Sequence, residues 1–179
     1  MKPIRVGLLG IGTVGGGTLR VLTRNQEEIT RRAGRGIVIT TVADQDVARA
    51  TAAVGAGVRV TGDAFAVVAD PDIDVVIELI GGTSVAKALV LAAIENGKHV
   101  VTANKALLAN HGNAIFAAAS RKGVMVAFEG AVAGGIPIIK ALREGLTANR
   151  IQWIAGIING TTSSSSRRCA TRAWTSAWR

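Results

Sequence analysis

Three glycines near the start of the chain occur at a spacing that suits phosphate binding. Gly10, Gly12 and Gly15 follow a short apolar run in the pattern G-x-G-x-x-G. In this pattern the first glycine permits a tight turn after a strand, the second lets the backbone approach a pyrophosphate, and the third lets a helix pack close to the strand. The N–H groups at the start of that helix, at Thr13 and Val14, suit an anion. We therefore predict that this loop binds a dinucleotide and is not only a glycine-rich packing turn.

A carboxylate after the second predicted strand suits the ribose of the same ligand. Asp44 follows the β-branched run Ile37–Val42. A carboxylate at this position accepts a hydrogen bond from a ribose 2′-hydroxyl and favours NAD, whereas an arginine favours the 2′-phosphate of NADP. The first arginine after the strand is Arg49, which we place on the following helix. Asp44 therefore favours NAD, although a role as the N-cap of that helix explains the same residue.

The elements that must position these residues alternate between apolar strands and helices. Apolar runs predict strands at Ile4–Leu9, Ile37–Val42, Val58–Thr61, Val75–Ile80, Lys98–Thr102, Val124–Phe128 and Arg150–Ile158. Helical patterns cover Thr13–Ala33, Val47–Ala53, Asp63–Ala69 and Ser84–Asn96, and a last helix begins at Lys105–Ala109 and continues over Gly112–Lys122. Strands that are apolar on both faces and alternate with helices predict an α/β fold, a Rossmann-like doubly wound parallel sheet.

Composition narrows the classes of partner. The chain of 179 residues is 49% apolar and 18% charged, as expected of a globular protein. Its net charge of +9 owes much to four arginines near the end, and aromatic residues make up only 3%, so we expect no nucleic-acid partner.

No uninterrupted apolar stretch is long enough for a membrane span, and the start of the chain predicts a strand and not a signal peptide. The single cysteine, Cys169, excludes an intramolecular disulfide and favours a cytoplasmic location.

Five short segments occur in an order and at separations typical of one enzyme family. They are "GLLGIGTVGGG" from Gly7, "DVVIELIGG" (74–82), "VTANKALLA" (101–109), "FEGAVAGGIPII" (128–139) and "GIINGTT" (156–162). Over residues 4–162 the chain resembles homoserine dehydrogenase. The resemblance implies NAD(P)-dependent interconversion of L-homoserine and L-aspartate 4-semialdehyde. "VTANK" and "AVAGGIPII" argue against a related reductase of the same fold, such as dihydrodipicolinate reductase.

The resemblance assigns roles to residues around the "VTANK" segment. It implies that Lys105 lines the active site as the catalytic lysine, where an ammonium supplies positive charge and a proton to a developing alkoxide. Composition alone would make Lys105 a solvated residue at a helix start. Thr102 and Ala103 are expected to contact the nicotinamide ribose with Lys105, and Gly81 ends the preceding strand in the same way.

The "EGAVAGGI" segment carries a second implied site. The family binds a monovalent, sodium-like cation through main-chain carbonyls, which here would be those of Glu129, Val132, Gly134 and Ile136. Neutral oxygens suit a hard cation, and glycines let carbonyls converge. Without the resemblance, the segment predicts a loop that leads into a helix.

The resemblance ends after residue 162. We expect a nucleotide-binding domain over 1–130, the beginning of an incomplete α+β catalytic and dimerisation domain over 131–162, and a tail unlike the family over 163–179. Residues 164–176 match an out-of-frame reading of a family-like peptide, a hypothesis that the nucleotide sequence tests.

The acidic substrate-site segment expected downstream does not occur in the chain, so a dinucleotide-binding fragment without activity is the alternative. The family implies a homodimer, which the tail puts in doubt here, and apolar residues of the second region such as Ile136, Ile138 and Ile154 are expected to be exposed.

Overall fold

The computed structural model of the protein describes residues 2–154. They form a six-stranded sheet flanked by helices. The strands are β1 (Ile4–Leu9), β2 (Ile37–Ala43), β3 (Arg59–Thr61), β4 (Val75–Glu78), β5 (His99–Thr102) and β6 (Val126–Ala127). The helices are α1 (Thr13–Arg24), α2 (Gln26–Ala33), α3 (Val47–Ala53), α4 (Ala64–Ala69), α5 (Ser84–Glu95) and α6 (Lys105–Lys122). A 3-10 turn (Glu129–Ala131), a short helix (Ile138–Lys140) and a π-helical turn (Ala141–Gly145) follow β6.

The order of the strands confirms the predicted fold class. The strands lie side by side as β3-β2-β1-β4-β5-β6, and every neighbouring pair is parallel. This is the doubly wound arrangement in which the strand order reverses between β1 and β4. Ligands bind such sheets at the carboxyl ends of the strands beside that reversal.

Apolar residues alternate between the two faces of the sheet. In β1, Val6 and Leu8 pack into a cluster with Leu19 of α1, whereas Leu9 packs with Leu89 of α5 in a second cluster on the opposite face. All five are buried. Burying both faces accounts for the continuous apolar runs that predict the strands from sequence.

Two predicted elements are wrong in part. The helix expected over Thr13–Ala33 divides into α1 and α2 at Asn25, whose φ of −104° and ψ of 21° leave the helical region. A short polar side chain such as that of asparagine favours helix ends over helix interiors. The strand expected over Arg150–Ile158 is not formed at residues 150–154, which are exposed and have no regular structure, and the remainder lies outside the described residues.

Smaller differences concern the ends of elements and the exposure of the last segment. The strands β4, β5 and β6 are each shorter than predicted, whereas the predicted helix that begins at Lys105 and continues to Lys122 forms as α6. Ile136 and Ile154 are exposed as expected, but Ile138 is half-buried. The predicted tail over 163–179 lies outside the described residues. No helix in the described part of the chain is long and apolar enough to cross a membrane.

A buried lysine braces the amino end of the sheet, away from the glycine loop. Lys98 is only 4% exposed, and its Nζ donates hydrogen bonds to the carbonyl oxygens of Ile73, at 2.8 Å, and Asp70. Burial lowers the pKa of Lys98, an effect that the nearby carboxylates of Asp70 and Asp74 oppose. The ammonium therefore ties the turn before β4 to the start of β5.

We expect Lys98→Met to lower the free energy of unfolding by about 2 kcal/mol, because two buried carbonyls lose a charged donor. Lys122→Met is the matched control, since Lys122 forms an exposed ion pair with Glu95 at 2.7 Å, and we expect it to change stability by less than about 1 kcal/mol. Urea denaturation of both variants measures the difference. Equal effects would contradict the bracing role of Lys98.

Candidate functional site

The glycine loop joins β1 to α1 at the point where the strand order reverses. Gly10 has a φ of +91°, and a Cβ built on it would lie 2.8 Å from the carbonyl oxygen of Leu79, so only glycine fits without a backbone shift. A Cβ on Gly15 would lie 2.0 Å from the carbonyl oxygen of Gly10. These two glycines let α1 and the loop after β4 approach the backbone of β1.

Gly12 has a different environment from the other two glycines. A Cβ built on it would meet no atom within 4 Å, and its φ of −62° is accessible to any residue. Its glycine character is therefore not required by the packing of the described residues. An open approach to the backbone is what a pyrophosphate needs at this position.

The first turn of α1 is suited to hold an anion. Gly12 is the N-cap and no side chain accepts from the N–H groups of the first turn. Thr13 and Val14 are exposed, and the first turn contains no acidic residue. Unpaired N–H groups and the positive end of the helix dipole favour negative charge. The residues present thus fit a dinucleotide pyrophosphate.

Asp44 lies at the carboxyl end of β2 and contacts the glycine loop directly. Its Oδ2 accepts from the Ile11 N–H at 2.8 Å, and its Oδ1 accepts from the Asp46 N–H at 2.9 Å and from the Arg49 guanidinium at 3.0 Å. Its side chain is 9% exposed. Burial by itself would raise the pKa of Asp44, but these hydrogen bonds and the charge of Arg49 together lower it. Asp44 is therefore held as a carboxylate beside the loop.

The alternative role considered for Asp44 belongs to another residue. The N-cap of α3 is Asp46, whose carboxylate accepts from the Arg49 N–H at 2.9 Å. Arg49 lies on α3 as the sequence predicts, but its guanidinium reaches back to Asp44. The sequence reasoning missed this ion pair, which the position of Arg49 in the first turn of α3 could have indicated.

A hydrogen-bonded chain links the carboxyl ends of β4 and β5. The Thr102 hydroxyl donates to Oε2 of Glu78 at 2.7 Å, and Oε1 of Glu78 accepts from the Ile80 N–H at 3.0 Å. The Asn104 N–H donates to Thr102 Oγ1 at 3.0 Å, and the Asn104 side-chain amide donates to the Gly82 carbonyl at 2.6 Å. The hydroxyl of Thr102 is thus directed into the protein. Sequence reasoning missed Glu78, although a single glutamate inside the apolar run "VVIELI" was the available signal.

Lys105 is the first residue of α6 and is exposed. The Asn104 side chain caps this helix by accepting from the Leu107 N–H at 3.0 Å, which fixes the backbone beside Lys105. No ion pair within residues 2–154 involves the Lys105 ammonium. The ammonium is therefore available at the carboxyl edge of β5.

The predicted site residues after β4 and β5 lie close to the second glycine-rich segment. A Cβ built on Gly130 would lie 3.2 Å from Ala103 Cβ, so the 3-10 turn packs against the "TANK" turn. Gly81 has a φ of +74° and is exposed. Gly81, Ala103, Lys105 and the turn at Gly130 therefore border one edge of the sheet.

The segment expected to hold a cation forms an exposed loop. The Glu129 side chain accepts from the N–H groups of Ile139 and Lys140, both at 2.9 Å, so its carboxylate caps the short helix. The Glu129 carbonyl accepts from Val132 N–H at 3.3 Å, and the Ile136 carbonyl accepts from a backbone N–H at 2.8 Å. Val132 and Gly134 are exposed. In the described part of the chain no three His, Cys, Asp or Glu side chains group as metal ligands, so a cation here would depend on carbonyl oxygens.

Comparison with known proteins connects this edge of the sheet with one family. Residues 10–129 match the family model described as the NAD-binding domain of homoserine dehydrogenase. A homoserine dehydrogenase of Pseudomonas aeruginosa is 64% identical over 162 residues, which are 90% of this chain and 37% of that protein. One of Bacillus subtilis is 43% identical over 162 residues, with the same coverage of both chains.

Solved structures agree with the sequence matches. The crystal structure of a homoserine dehydrogenase from Thiobacillus denitrificans is 68% identical, with a TM-score of 0.84, and the match covers 90% of this chain and 37% of that one. A homoserine dehydrogenase structure from S. aureus is 32% identical, with a TM-score of 0.68 and coverage of 76% and 34%. The chain thus spans 37% of the length of the first of these relatives.

We expect Gly12→Ala to reduce NADH affinity without changing stability, and Gly15→Ala to reduce stability. A methyl group at Gly12 meets open space, so stability should hardly change while NADH affinity falls by roughly tenfold or more, because the methyl group blocks the pyrophosphate. A methyl group at Gly15 collides with the Gly10 carbonyl, so we expect the free energy of unfolding to fall by about 3 kcal/mol. Thermal unfolding and NADH fluorescence titration measure both. Unchanged NADH affinity in Gly12→Ala would refute the assignment of the loop.

We expect Asp44→Asn to weaken NADH binding and to flatten the acid dependence of stability. The contacts that lower the pKa of Asp44 mean that its carboxylate stabilises the fold above its unfolded-state pKa, and that this contribution is lost as the pH falls through the lower folded-state pKa. The difference in unfolding free energy between parent and variant should therefore shrink between pH 7 and about pH 3. Asp46→Asn, which keeps a residue able to cap α3, is the control and should retain NADH affinity.

Proposed function

Because the chain belongs to the homoserine dehydrogenase family, we propose that residues 2–154 act as the nucleotide-binding part of an enzyme that interconverts L-homoserine and L-aspartate 4-semialdehyde. The observation that carries the proposal is the glycine loop, in which Gly10 and Gly15 are required by packing, whereas a Cβ at Gly12 would meet no atom within 4 Å. The family match over residues 10–129, to an NAD-binding domain, supports a dinucleotide as the ligand of that loop.

Each part of the loop region has a distinct role in holding the dinucleotide. The N–H groups of the first turn of α1 bind the pyrophosphate, and Asp44 accepts from the adenosine ribose. We favour NAD because the Asp44 carboxylate would repel a 2′-phosphate, although Arg49 at 3.0 Å from Asp44 supplies a nearby positive charge. NAD, rather than NADP, is therefore the cofactor that this arrangement supports best.

Lys105 is the proposed catalytic residue. When bound, the nicotinamide ring would accept the hydride that leaves C4 of homoserine. The hydroxyl on that carbon loses its proton at the same time to the neutral amine form of Lys105. In the reverse direction the Lys105 ammonium returns that proton to the oxygen and stabilises the negative charge that develops there. Lys105 has an exposed side chain on a backbone fixed by Asn104, which suits that task. Thr102 ends β5 at the same edge, and Ala103 follows it directly.

A monovalent cation would have a structural role in this proposal. Its ligands are the carbonyl oxygens of Glu129, Val132, Gly134 and Ile136. The positive φ of Ala133, 46°, and of Gly135, 87°, bends the loop so that successive carbonyls change direction. The capping of the short helix by the Glu129 side chain leaves its carboxylate engaged elsewhere.

A second candidate function is dinucleotide binding without turnover. It is favoured by the family match itself, since the model that residues 10–129 match describes an NAD-binding domain. The two candidates share the same nucleotide site and differ only in whether homoserine is oxidised. A homodimer, expected for intact family members, belongs to the first candidate.

We expect the purified chain to bind NADH, and Lys105→Met to leave NADH affinity within about threefold while reducing any homoserine oxidation by at least about hundredfold. Lys122→Met, a change of the same kind at the other end of α6, should alter neither quantity. Fluorescence titration measures binding, and the absorbance of NADH formed measures turnover. Binding without turnover in the parent chain would support the second candidate, and a fully active Lys105→Met would disprove the role of the lysine.

A further inference from the structure

We propose that Asn104 is a positioning residue for the cofactor, because its side chain holds the loop after β4, residues 79–83, against the glycine loop. The inference rests on the proposed function, since it takes the glycine loop as the site of the pyrophosphate. Asn104 acts here through the backbone of a neighbouring loop and not through contact with the reacting atoms. The connection runs from the Asn104 side chain through Gly82 to the turn at Gly10.

The loop after β4 lies directly against the turn that opens the glycine loop. A Cβ built on Gly10 would lie 2.8 Å from the Leu79 carbonyl oxygen and 3.1 Å from Ile80 Cγ2. These two residues therefore form one wall of the turn between β1 and α1. A displacement of this wall changes the space that the turn occupies, and with it the direction of the N–H groups that α1 offers to a pyrophosphate.

The middle of the loop after β4 has few restraints of its own. Gly81 and Gly82 have φ values of +74° and +68°, and a Cβ built on either would meet no atom within 4 Å. Among the described residues, no backbone–backbone hydrogen bond outside the helices and strands involves either glycine. Glycine has more backbone freedom to lose than any other residue. The position of this pair therefore depends on a contact from outside the loop.

The Asn104 side chain supplies that contact from a packed helix. Its Nδ2 donates to the Gly82 carbonyl at 2.6 Å, and its Oδ1 accepts from the Leu107 N–H at 3.0 Å. An amide nitrogen only donates and an amide oxygen only accepts, so each end of the side chain has a suitable partner. The helix α6 is 18 residues long and is anchored by buried Leu107 and Ile115. The glycine pair is thus fixed to a rigid element of the fold.

The test uses Asn104→Ser in the full chain, because serine still caps a helix but is too short to reach the Gly82 carbonyl. Isothermal titration calorimetry measures the affinity for NADH and for ADP-ribose, which keeps the pyrophosphate and lacks the nicotinamide. We expect both affinities to fall by the same factor, roughly three- to tenfold, since one hydrogen bond that orders the loop is lost. Thermal unfolding shows that the variant is folded and that the cap of α6 is retained.

Asn96→Ser is the matched control at the opposite end of the sheet. The Asn96 side-chain amide donates to the Val68 carbonyl at 3.1 Å, so this variant removes a bond of the same kind away from the glycine loop. We expect both affinities to stay within about twofold of the parent values. Asn104→Thr, which also keeps a capping hydroxyl, serves if Asn104→Ser does not fold, and the same loss is expected of it.

Three results would overturn the inference. Affinities of Asn104→Ser within about twofold of the parent values would show that Asn104 only caps α6. An equal loss in Asn96→Ser would show that the effect is not specific to this loop. A loss for NADH with unchanged affinity for ADP-ribose would mean that Asn104 contacts the nicotinamide end directly. If the parent chain binds neither ligand, the proposed function itself fails, and the inference fails with it.

Discussion

The close approach of backbone to backbone at the glycine loop is the constraint on which the nucleotide site depends. The carbonyl oxygen of Gly10 occupies the place where a side chain at position 15 would begin, 2.0 Å from its Cβ position. Because of this contact, the first turn of α1 starts immediately at the carboxyl end of β1. Any larger residue would push the helix away from the sheet and carry its N–H groups with it. The site is thus built from main-chain geometry first, and side chains are added around it.

Two carboxylates support this backbone from opposite sides of β1, and they do so differently. Asp44, after β2, is fixed by two N–H groups and a guanidinium, and it retains partial exposure toward a ligand. Glu78, at the end of β4, is closed off and touches only protein groups. Asp44 is therefore the carboxylate that we propose as a ligand contact, whereas Glu78 joins the ends of β4 and β5.

Most of the fold and the cofactor loop followed from the sequence because they depend on local patterns. Continuous apolar runs specified the strands of a sheet that is buried on both faces, and the spacing of Gly10, Gly12 and Gly15 specified the turn between β1 and α1. The break at Asn25 was missed because the apolar period of α1 continues into α2. The absence of a strand over residues 150–154 was missed because an apolar run does not show whether a neighbouring strand exists to pair with it.

Contacts between distant residues could not be predicted in the same way. The bond from Thr102 to Glu78 joins residues 24 positions apart, and only the register of β4 with β5 brings them together. Arg49 was assigned correctly to α3, but the direction of its side chain depends on where the helix lies over β2. The proposed role of Lys105 comes from the resemblance to a family, since composition alone would leave it as a solvated residue.

Asn104 fixes the backbone at the start of α6, whereas the side chain of Lys105, the next residue, is exposed. The Asn104 amide joins the Gly82 carbonyl on one side, and its oxygen holds the start of α6 on the other. The two loops are therefore fastened to each other, and a hinge between them would have to break the bond from the Asn104 amide to the Gly82 carbonyl. The ammonium of Lys105 is still carried on four methylene groups, so its position can change by side-chain rotation while the loops beneath it stay still.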